Sequence, residues 1–335
     1  MCARVDGSGE PTIATEVKTK PTWLLALALC ALIRTTPALA QADAPVVRDP
    51  AGTLELVVLG SGGPGATGRA ASSYLLLVQG EPRILVDAGP GSFARLGELK
   101  LSLDALGVVL LTHLHVDHAA ELPGIIKARA VAAGAPIRFE VYGPGARAAH
   151  GDVPAFPSTA RFMQLLFGDG GAFAYLKDFA APVTFQVTDL PPPGSGAQAA
   201  VILARKDLTI RAIAGHHGDA PAIIYRVDTP RQSIVFSGDI DASGLPALAK
   251  ISQGASLLVF DAVVLDPPGS PAVLYTLHSP PAAIGELAGR SQVKALLLSH
   301  LSPAVEQSRE AVSASIASHY PGTVKFATDG LRLRP

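Results

Sequence analysis

The sequence predicts an α/β fold in which strands and helices interleave, and three observations point to it. Short apolar runs recur between turn residues, helical patterns fall between many of them, and metal-ligand residue types stand just after several runs. Such a succession is typical of sheets whose outer faces are covered by helices. With 335 residues, 48% of them hydrophobic, the chain can bury one large core, so no second folded domain is required.

The expected strands are apolar runs bounded by turn residues. The first set covers residues 54–59, 73–78, 83–86 and 105–111, and the later set covers residues 208–213, 222–227, 233–236, 257–260 and 295–298. Helical patterns occupy residues 121–133, 245–252, 281–288 and 303–318. Because the run at 105–111 is apolar throughout, we expect it to be a buried parallel strand.

A cluster of metal-ligand side chains follows the run at 105–111. His113, His115, Asp117 and His118 place three imidazoles and a carboxylate within six positions. Alternate residues of an extended segment share a face, so His113 and His115 can bind one ion, while Asp117 and His118 reach a second ion after the bend. The spacing therefore indicates a site for two metal ions rather than unrelated core or surface histidines.

This motif, His-x-His-x-Asp-His, resembles the signature of the metallo-β-lactamase superfamily of hydrolases. Further motifs of that family stand in the same order along the chain, so the resemblance spans about residues 54–330. The resemblance implies a four-layer αββα sandwich with the metal ions at one edge, between the two sheets.

The resemblance also implies a set of seven ligands, each just after an apolar run. The first ion would be held by His113, His115 and His217, the second by Asp117, His118 and His300, and Asp239 would lie between both ions. Asp87 matches an aspartate that supports the metal loop without ligating. His216 competes with His217 for the third-histidine role, and the continuation from Gly218 to Arg226 favours His217.

His278 and Asp261 resemble the proton-donating pair of the ribonuclease Z and arylsulfatase branch of the superfamily. In that branch a His-Ser/Thr motif meets a Glu-Ala motif, and this chain departs from it by carrying the shorter aspartate at position 261. A histidine oriented by a carboxylate can protonate a leaving alkoxide. We therefore expect His278, Asp261 and Asp117 to take part in catalysis, with a purely structural histidine at position 278 as the alternative.

The implied cofactors are two divalent ions. Zinc is the first expectation because imidazole-rich sites with an open position suit it, although nitrogen and oxygen ligands also admit Mn²⁺ or Fe²⁺. Such a centre activates water for hydrolysis. The expected enzyme is a phosphodiesterase or related ester hydrolase, with arylsulfatase or lactonase as the alternative. A ribonuclease Z-type endoribonuclease, a β-lactamase and a non-catalytic metal-binding module are less favoured.

Residues 1–40 have the features of a secretory signal. Lys18 and Lys20 precede the apolar run at 23–33, and residues 38–40 offer a small-x-small cleavage site. The run is too short for a transmembrane helix. We expect cleavage near residue 40, a single hydrolase domain at 41–335, and a periplasmic or secreted protein.

Both cysteines, Cys2 and Cys30, lie upstream of the expected cleavage point, so the remaining chain has no disulfide and no cysteine ligand. Residues 1–40 carry four of the 27 basic and three of the 28 acidic residues, which leaves 23 basic and 25 acidic residues. This balance offers no basic field for long nucleic acid. We expect a small-molecule ester substrate and no stable membrane insertion after cleavage, and a homodimer remains open.

Two further segments have alternative interpretations. Residues 150–193 concentrate aromatic side chains, and we expect a helical insertion that either packs on a small core of its own or covers the metal site. The loop Gly60-Ser-Gly-Gly-Pro-Gly65 formally matches a dinucleotide-binding loop, but the strand at 73–78 follows it where a helix would be required. The loop is expected to turn tightly beside the metals.

Overall fold

A computed structural model describes residues 52–179, 181–191 and 198–335, and the predicted signal segment lies outside these residues. Two seven-stranded sheets form the centre of the fold. In chain order, the strands are β1 (Leu54–Gly60), β2 (Ser73–Val78), β3 (Glu81–Val86), β4 (Val108–Leu110), β5 (Ile137–Pro144), β6 (Val183–Leu190), β7 (Ala200–Arg205), β8 (Leu208–Ala214), β9 (Ile223–Asp228), β10 (Ser233–Phe236), β11 (Leu257–Asp261), β12 (Ala295–Ser299), β13 (Thr323–Phe326) and β14 (Arg332–Leu333).

The first sheet has the order β14-β1-β2-β3-β4-β5-β6, and the second has the order β13-β12-β11-β10-β9-β8-β7. In the first sheet, β14, β1, β2 and β3 pair antiparallel, whereas β3, β4, β5 and β6 pair parallel. In the second sheet, β7 to β10 pair antiparallel and β10 to β13 pair parallel. Both sheets are therefore mixed.

Helices cover the outer faces of both sheets. They are α1 (Ser92–Glu98), α2 (Val116–Ala119), α3 (Leu122–Val131), α4 (Thr159–Phe167), α5 (Leu245–Ile251), α6 (Pro281–Arg290), α7 (Pro303–Gln307) and α8 (Arg309–Ala317), with 3₁₀ turns at Ala174–Asp178 and Ala272–Thr276. Among the residues described here, no helix is long and apolar enough to cross a membrane.

Three hydrophobic clusters separate the layers, and β1 shows how they arise. Its residues alternate between faces: Leu56 and Val58 pack between the sheets, while Val57 and Leu59 pack under the outer helices. A third cluster fills the space between the second sheet and α5, α6 and α8. Because both faces of the central strands are buried, their sequences are mostly apolar on both faces. The predicted four-layer αββα sandwich is confirmed.

The segment at 150–193 differs from its prediction as a helical insertion. It contains α4 and a 3₁₀ turn, but residues 183–190 form β6, an edge strand that pairs parallel with β5. Met163, Phe167 and Leu176 are buried in the same cluster as the outer face of the first sheet. The buried residues of this segment therefore extend the main core instead of forming a separate one.

Two other differences concern a helix boundary and additional elements. The helical pattern at 303–318 forms two helices, α7 and α8, which meet at Ser308. The sequence patterns also did not predict strands β5, β7, β13 and β14 or helices α1 and α2. None of these additions changes the edge at which β4, β8, β10, β11 and β12 end, where the predicted ligands lie.

Candidate metal centre

The loop after β4 carries the contiguous motif. His113 lies in the loop, His115 is extended (φ −67°, ψ 154°) at the start of α2, and Asp117 and His118 lie within this short helix. The second sheet fixes the loop from the other side. Ile223 N–H donates to the Thr112 carbonyl at 2.8 Å, and the Tyr225 hydroxyl donates to the Leu111 carbonyl at 3.0 Å. The centre therefore forms where the two sheets meet.

Asp87 orients this loop from behind. Its buried carboxylate accepts hydrogen bonds from Thr112 N–H and Thr112 Oγ1, both at 2.7 Å, and lies 2.8 Å from His118 Nδ1. With the proton on Nδ1, His118 donates to Asp87 and keeps Nε2 free. Asp87 has a left-handed backbone (φ 55°), a conformation that is uncommon outside glycine and often marks functional sites.

The seven predicted ligands come together, with Asp239 among them. Nitrogen and oxygen donors within 4.8 Å of one another form the groups His113, His115, His217; His113, His118, Asp239; Asp117, His118, His300; and His217, Asp239, His278. The first and third groups match the two donor sets implied by the sequence. Asp239 touches members of both sets: its carboxylate lies 3.6 Å from His217 Nε2, 3.8 Å from His118 Nε2 and 3.6 Å from His300 Nδ1.

Several buried atoms at this point lack a hydrogen-bond partner. They are His113 Nε2, His118 Nε2, His300 Nδ1, Asp239 Oδ1 and His278 Nδ1. Buried polar atoms in native proteins nearly always have a partner, so the orphaned donors that belong to predicted ligands, on His113, His118, His300 and Asp239, fit divalent metal ions. His217 fits the same interpretation, because its Nδ1 contacts the Leu277 carbonyl at 2.8 Å and leaves Nε2 directed toward the cluster.

Electrostatics in the cluster favour one central anion among imidazoles. Burial raises the pKa of the Asp239 carboxyl, but the imidazoles of His300 and His118 outweigh burial and lower it well below its usual value. Burial likewise disfavours the charged form of His118, yet the Asp87 carboxylate raises its pKa to about 10. The Asp239 carboxylate is therefore ionised and surrounded by cationic or cation-binding groups, an environment that would also favour a bound metal ion.

His216 is not part of these donor groups. Its Nδ1 lies 2.7 Å from Asp241 Oδ2, and 43% of its side chain is exposed. Asp241 in turn accepts hydrogen bonds from the backbone N–H groups of Gly218 and Ser243. The histidine that the structure places with His113 and His115 is His217, whereas His216 and Asp241 shape the loop around it.

His278 and Asp261 do not form the pair that the sequence predicted, in which Asp261 orients the imidazole of His278. Both side chains are buried, but no hydrogen bond or ion pair joins the two within the described part of the chain. The carboxylate within ion-pair distance of His278 Nδ1 is Asp239, at 3.9 Å. Asp261 instead lies 3.5 Å from the Tyr74 hydroxyl, and burial raises its carboxyl pKa to about 8. Asp261 therefore does not orient His278 by direct contact.

Gly63 is a site residue that the sequence did not single out individually. A Cβ at this position would lie 2.3 Å from both Cε1 and Nε2 of His300, a distance at which atoms overlap. Backbone bonds hold the loop there, since Leu301 N–H donates to the Ser61 carbonyl at 2.9 Å. The glycine-rich loop thus lies beside the metal centre, as expected, and its missing side chain makes room for the His300 ring.

Comparison with known proteins places this arrangement in a family. A family profile described as "Beta-lactamase superfamily domain" matches residues 82–301. Proteins named ribonuclease Z from Mycobacterium sp. (strain KMS) and Mycobacterium marinum are similar over 82% of this chain, at 29% and 28% identity, and the matches cover 94% and 96% of those proteins.

Solved structures show the same fold at lower sequence identity. Human tRNase Z, short form, aligns with a TM-score of 0.62 and 20% identity over 83% of this chain and 98% of its own. The metallo-β-lactamase fold protein YhfI from Bacillus subtilis aligns with a TM-score of 0.60 and 19% identity over 84% of this chain and all of its own. Zn²⁺-bound PqqB from Methylobacterium extorquens aligns with a TM-score of 0.56 and 15% identity over 83% of this chain and 99% of its own.

Proposed function

The chain belongs to the β-lactamase superfamily of metal-dependent hydrolases, and on this premise we propose that it hydrolyses phosphodiester bonds in small substrates with two divalent metal ions. The observation that carries the proposal is the position of Asp239. Its carboxylate lies within 4 Å of His217 from one donor set and of His118 and His300 from the other. A carboxylate shared by two sets of donors offsets the repulsion between adjacent dications.

Zinc is the proposed metal because imidazoles dominate the donor set. When bound, a pair of divalent ions supplies an activated water molecule and positive charge that stabilises the transition state of hydrolysis. The chain's own residues set the geometry of this chemistry. Asp87 holds His118 through Nδ1, and the Leu277 carbonyl holds His217 through Nδ1, so both rings present Nε2 to the centre.

His278 is the proposed proton donor to the leaving group. Its Nδ1 is buried, has no hydrogen-bond partner and lies 3.9 Å from Asp239, so the imidazole stands next to the proposed metal centre. Protonation of a departing alkoxide accelerates hydrolysis of esters with poor leaving groups. Because Asp261 contacts the Tyr74 hydroxyl and not His278, we assign it no orienting role at the imidazole.

The preference for a phosphodiester is supported by the relatives. The similar mycobacterial proteins are named ribonuclease Z, and a structure described as a new diphosphatase from the PhnP family aligns with a TM-score of 0.50 and 19% identity. Both names denote cleavage at phosphorus. Sulfate esters, lactones and β-lactams remain alternatives, and the shared position of Asp239 counts against β-lactams because β-lactamases of this fold usually lack that ligand.

We further propose that the substrate is small and that the protein acts outside the cytoplasm. Only 21 residues separate His217 from Asp239, so the segment between these two proposed ligands is too short to form a long arm that could grip tRNA. The near-neutral net charge provides no overall positive field that would draw in RNA. The basic residues, apolar run and small-residue site within 1–40 support export.

A ribonuclease Z-type endoribonuclease is the second candidate, favoured by alignment over 94% of the mycobacterial protein. One experiment separates the candidates. The purified, zinc-loaded protein is assayed with bis-p-nitrophenyl phosphate, p-nitrophenyl sulfate, a lactone, a chromogenic cephalosporin and a precursor tRNA. The proposal predicts fastest turnover of the phosphodiester and no cleavage of the precursor tRNA. If the sulfate ester were hydrolysed faster, the protein would be an arylsulfatase instead. If the precursor tRNA were cleaved, it would be a ribonuclease Z-type endoribonuclease.

A further inference from the structure

The metal centre reaches solvent at His115 and Asp117, which are partly exposed. The other proposed ligands, His113, His118, His217, Asp239 and His300, are buried. A substrate must therefore approach the ions from the side of His115 and Asp117. Whatever stands next to these two residues forms the wall against which the substrate packs.

Phe156 stands beside His115 at this opening. Its ring centroid lies 6.5 Å from that of His115, with the planes tilted by 48°, and the phenylalanine keeps part of its surface exposed. The residue closes a short antiparallel turn. Its backbone N–H donates to the Arg147 carbonyl at 2.9 Å, and Arg147 N–H donates to the Phe156 carbonyl at 3.1 Å.

Arg147 fixes this ring relative to the metal loop. Its guanidinium carbon lies 5.6 Å from the centroid of Phe156, within the range of a cation–π contact. The same guanidinium donates to the carbonyl oxygen of Asp219 and, at 2.9 Å, to its carboxylate. Asp219 belongs to the turn that begins at His217. Arg147 thus connects the turn that bears Phe156 to the turn that bears a predicted ligand.

We propose that Phe156 forms an aryl-binding subsite beside the first metal position, and that the substrate carries a planar aromatic or heteroaromatic ring next to the bond that is hydrolysed. The inference rests on the proposed function, because it assumes that an ester reaches the ions from the open side. Aromatic rings attract one another in offset or edge-to-face geometry, and a partly exposed ring at a fixed position offers this contact at little ordering cost.

The test compares two phosphonates that differ by one ring. Calorimetric titration of the zinc-loaded full chain with phenylphosphonate and with methylphosphonate gives the contribution of the ring to affinity. We expect phenylphosphonate to bind about two- to tenfold more tightly, the usual worth of one aromatic pair. Phe156→Ala and Phe156→Leu should abolish this ratio while leaving the affinity for methylphosphonate unchanged, and Phe156→Trp should retain it.

Phe179 provides the matched control. It is a phenylalanine with 47% of its surface exposed and a cation over its ring, since Lys127 Nζ lies 5.7 Å from the centroid, but it has no contact with the predicted ligands. Phe179→Ala should keep the ring preference of the unaltered protein. Equal binding of both phosphonates by the unaltered protein, or a ratio that survives in both Phe156→Ala and Phe156→Leu, would overturn the subsite.

Failure of the subsite and failure of the proposed function give different results. Hydrolysis of bis-p-nitrophenyl phosphate with a ring preference that ignores Phe156 would refute the subsite and leave the phosphodiesterase in place. Loss of the ring preference in Phe156→Ala, in a protein that hydrolyses no phosphodiester, would retain the subsite and refute the phosphodiesterase.

Discussion

Gly63 lies so close to the imidazole of His300 that a methyl group on Gly63 would occupy the space of the ring. This contact joins the glycine-rich loop after β1 to the residue proposed as the last ligand of the second ion. His300 itself has a left-handed backbone (φ 53°), so its position is already constrained from its own side. The ring has little freedom to move without leaving the centre.

Gly63→Ala is therefore expected to displace His300 and release the second metal ion. Mass-spectrometric metal analysis should show a fall from about two equivalents of zinc to about one, because a histidine donor is lost while the first donor set stays intact. Gly65→Ala is the matched control in the same loop, since a Cβ there meets no atom within 4 Å. Two equivalents retained by Gly63→Ala would show that His300 does not ligate from this position.

Asp87→Asn tests the support behind the motif. Asparagine tolerates the left-handed backbone at this position but lacks the charge that holds His118. Loss of such outer partners typically weakens metal binding about 10- to 100-fold, which competition with a chelator measures. Unchanged zinc affinity would mean that Asp87 serves the fold alone. Far-ultraviolet circular dichroism provides the control for folding.

His278→Ala is expected to keep both metal ions and to slow hydrolysis of alkyl phosphodiesters by about 100-fold or more, the usual contribution of a general acid. Nitrophenyl esters should be affected far less, because nitrophenolate leaves without protonation. The ratio of rates for the two leaving groups is the measurement. Equal losses on both substrates, or loss of metal, would make His278 a structural residue.

Glu55 gives a prediction on stability that is independent of the metals. Burial opposes ionisation of its carboxyl, but hydrogen bonds and charges of Arg332 and Arg334 outweigh burial and hold its pKa below the usual 4.5. A lowered pKa in the folded state stabilises the fold above pH 4.5, and this contribution is lost as the pH falls through the folded pKa. It ties β14 to β1.

Glu55→Gln should therefore lower the free energy of unfolding at pH 7 by about 1 kcal/mol, a modest value because the side chains of Arg332 and Arg334 are 44% and 61% exposed to solvent. The difference from the unaltered protein should shrink as the pH falls below 4.5. Urea unfolding at several pH values measures it. A difference that does not change between pH 7 and pH 3 would assign the effect to packing instead of charge.

The centre was predictable because its ligands follow apolar runs. His113, Asp239 and His300 each come just after a short buried strand, and strands that run in parallel end at one edge of a sheet. The position of each ligand after a strand was therefore enough to predict that distant ligands lie at the same edge of the fold. The preference for His217 over His216 depended on the residues that follow it, and the structure brings His217 to the donor group while His216 turns to Asp241.

Contacts between distant segments were not predictable in the same way. The sequence suggested that Asp261 orients His278, but the carboxylate of Asp239 lies beside the imidazole, and only the packing of β10 against β11 decides this. The sequence patterns place β6 in a helical insertion because the aromatic residues that precede it dominate the segment. Its alternation from Val183 to Leu190 was the available signal of an edge strand.

The most direct test of the two-metal centre is a crystal structure of the zinc-loaded protein with anomalous diffraction measured at the zinc edge. The proposal predicts two peaks about 3.5 to 4 Å apart. One should lie within about 2.2 Å of nitrogen atoms of His113, His115 and His217, the other should be ligated by Asp117, His118 and His300, and Asp239 should contact both. A single peak, or two peaks without Asp239 between them, would contradict the account.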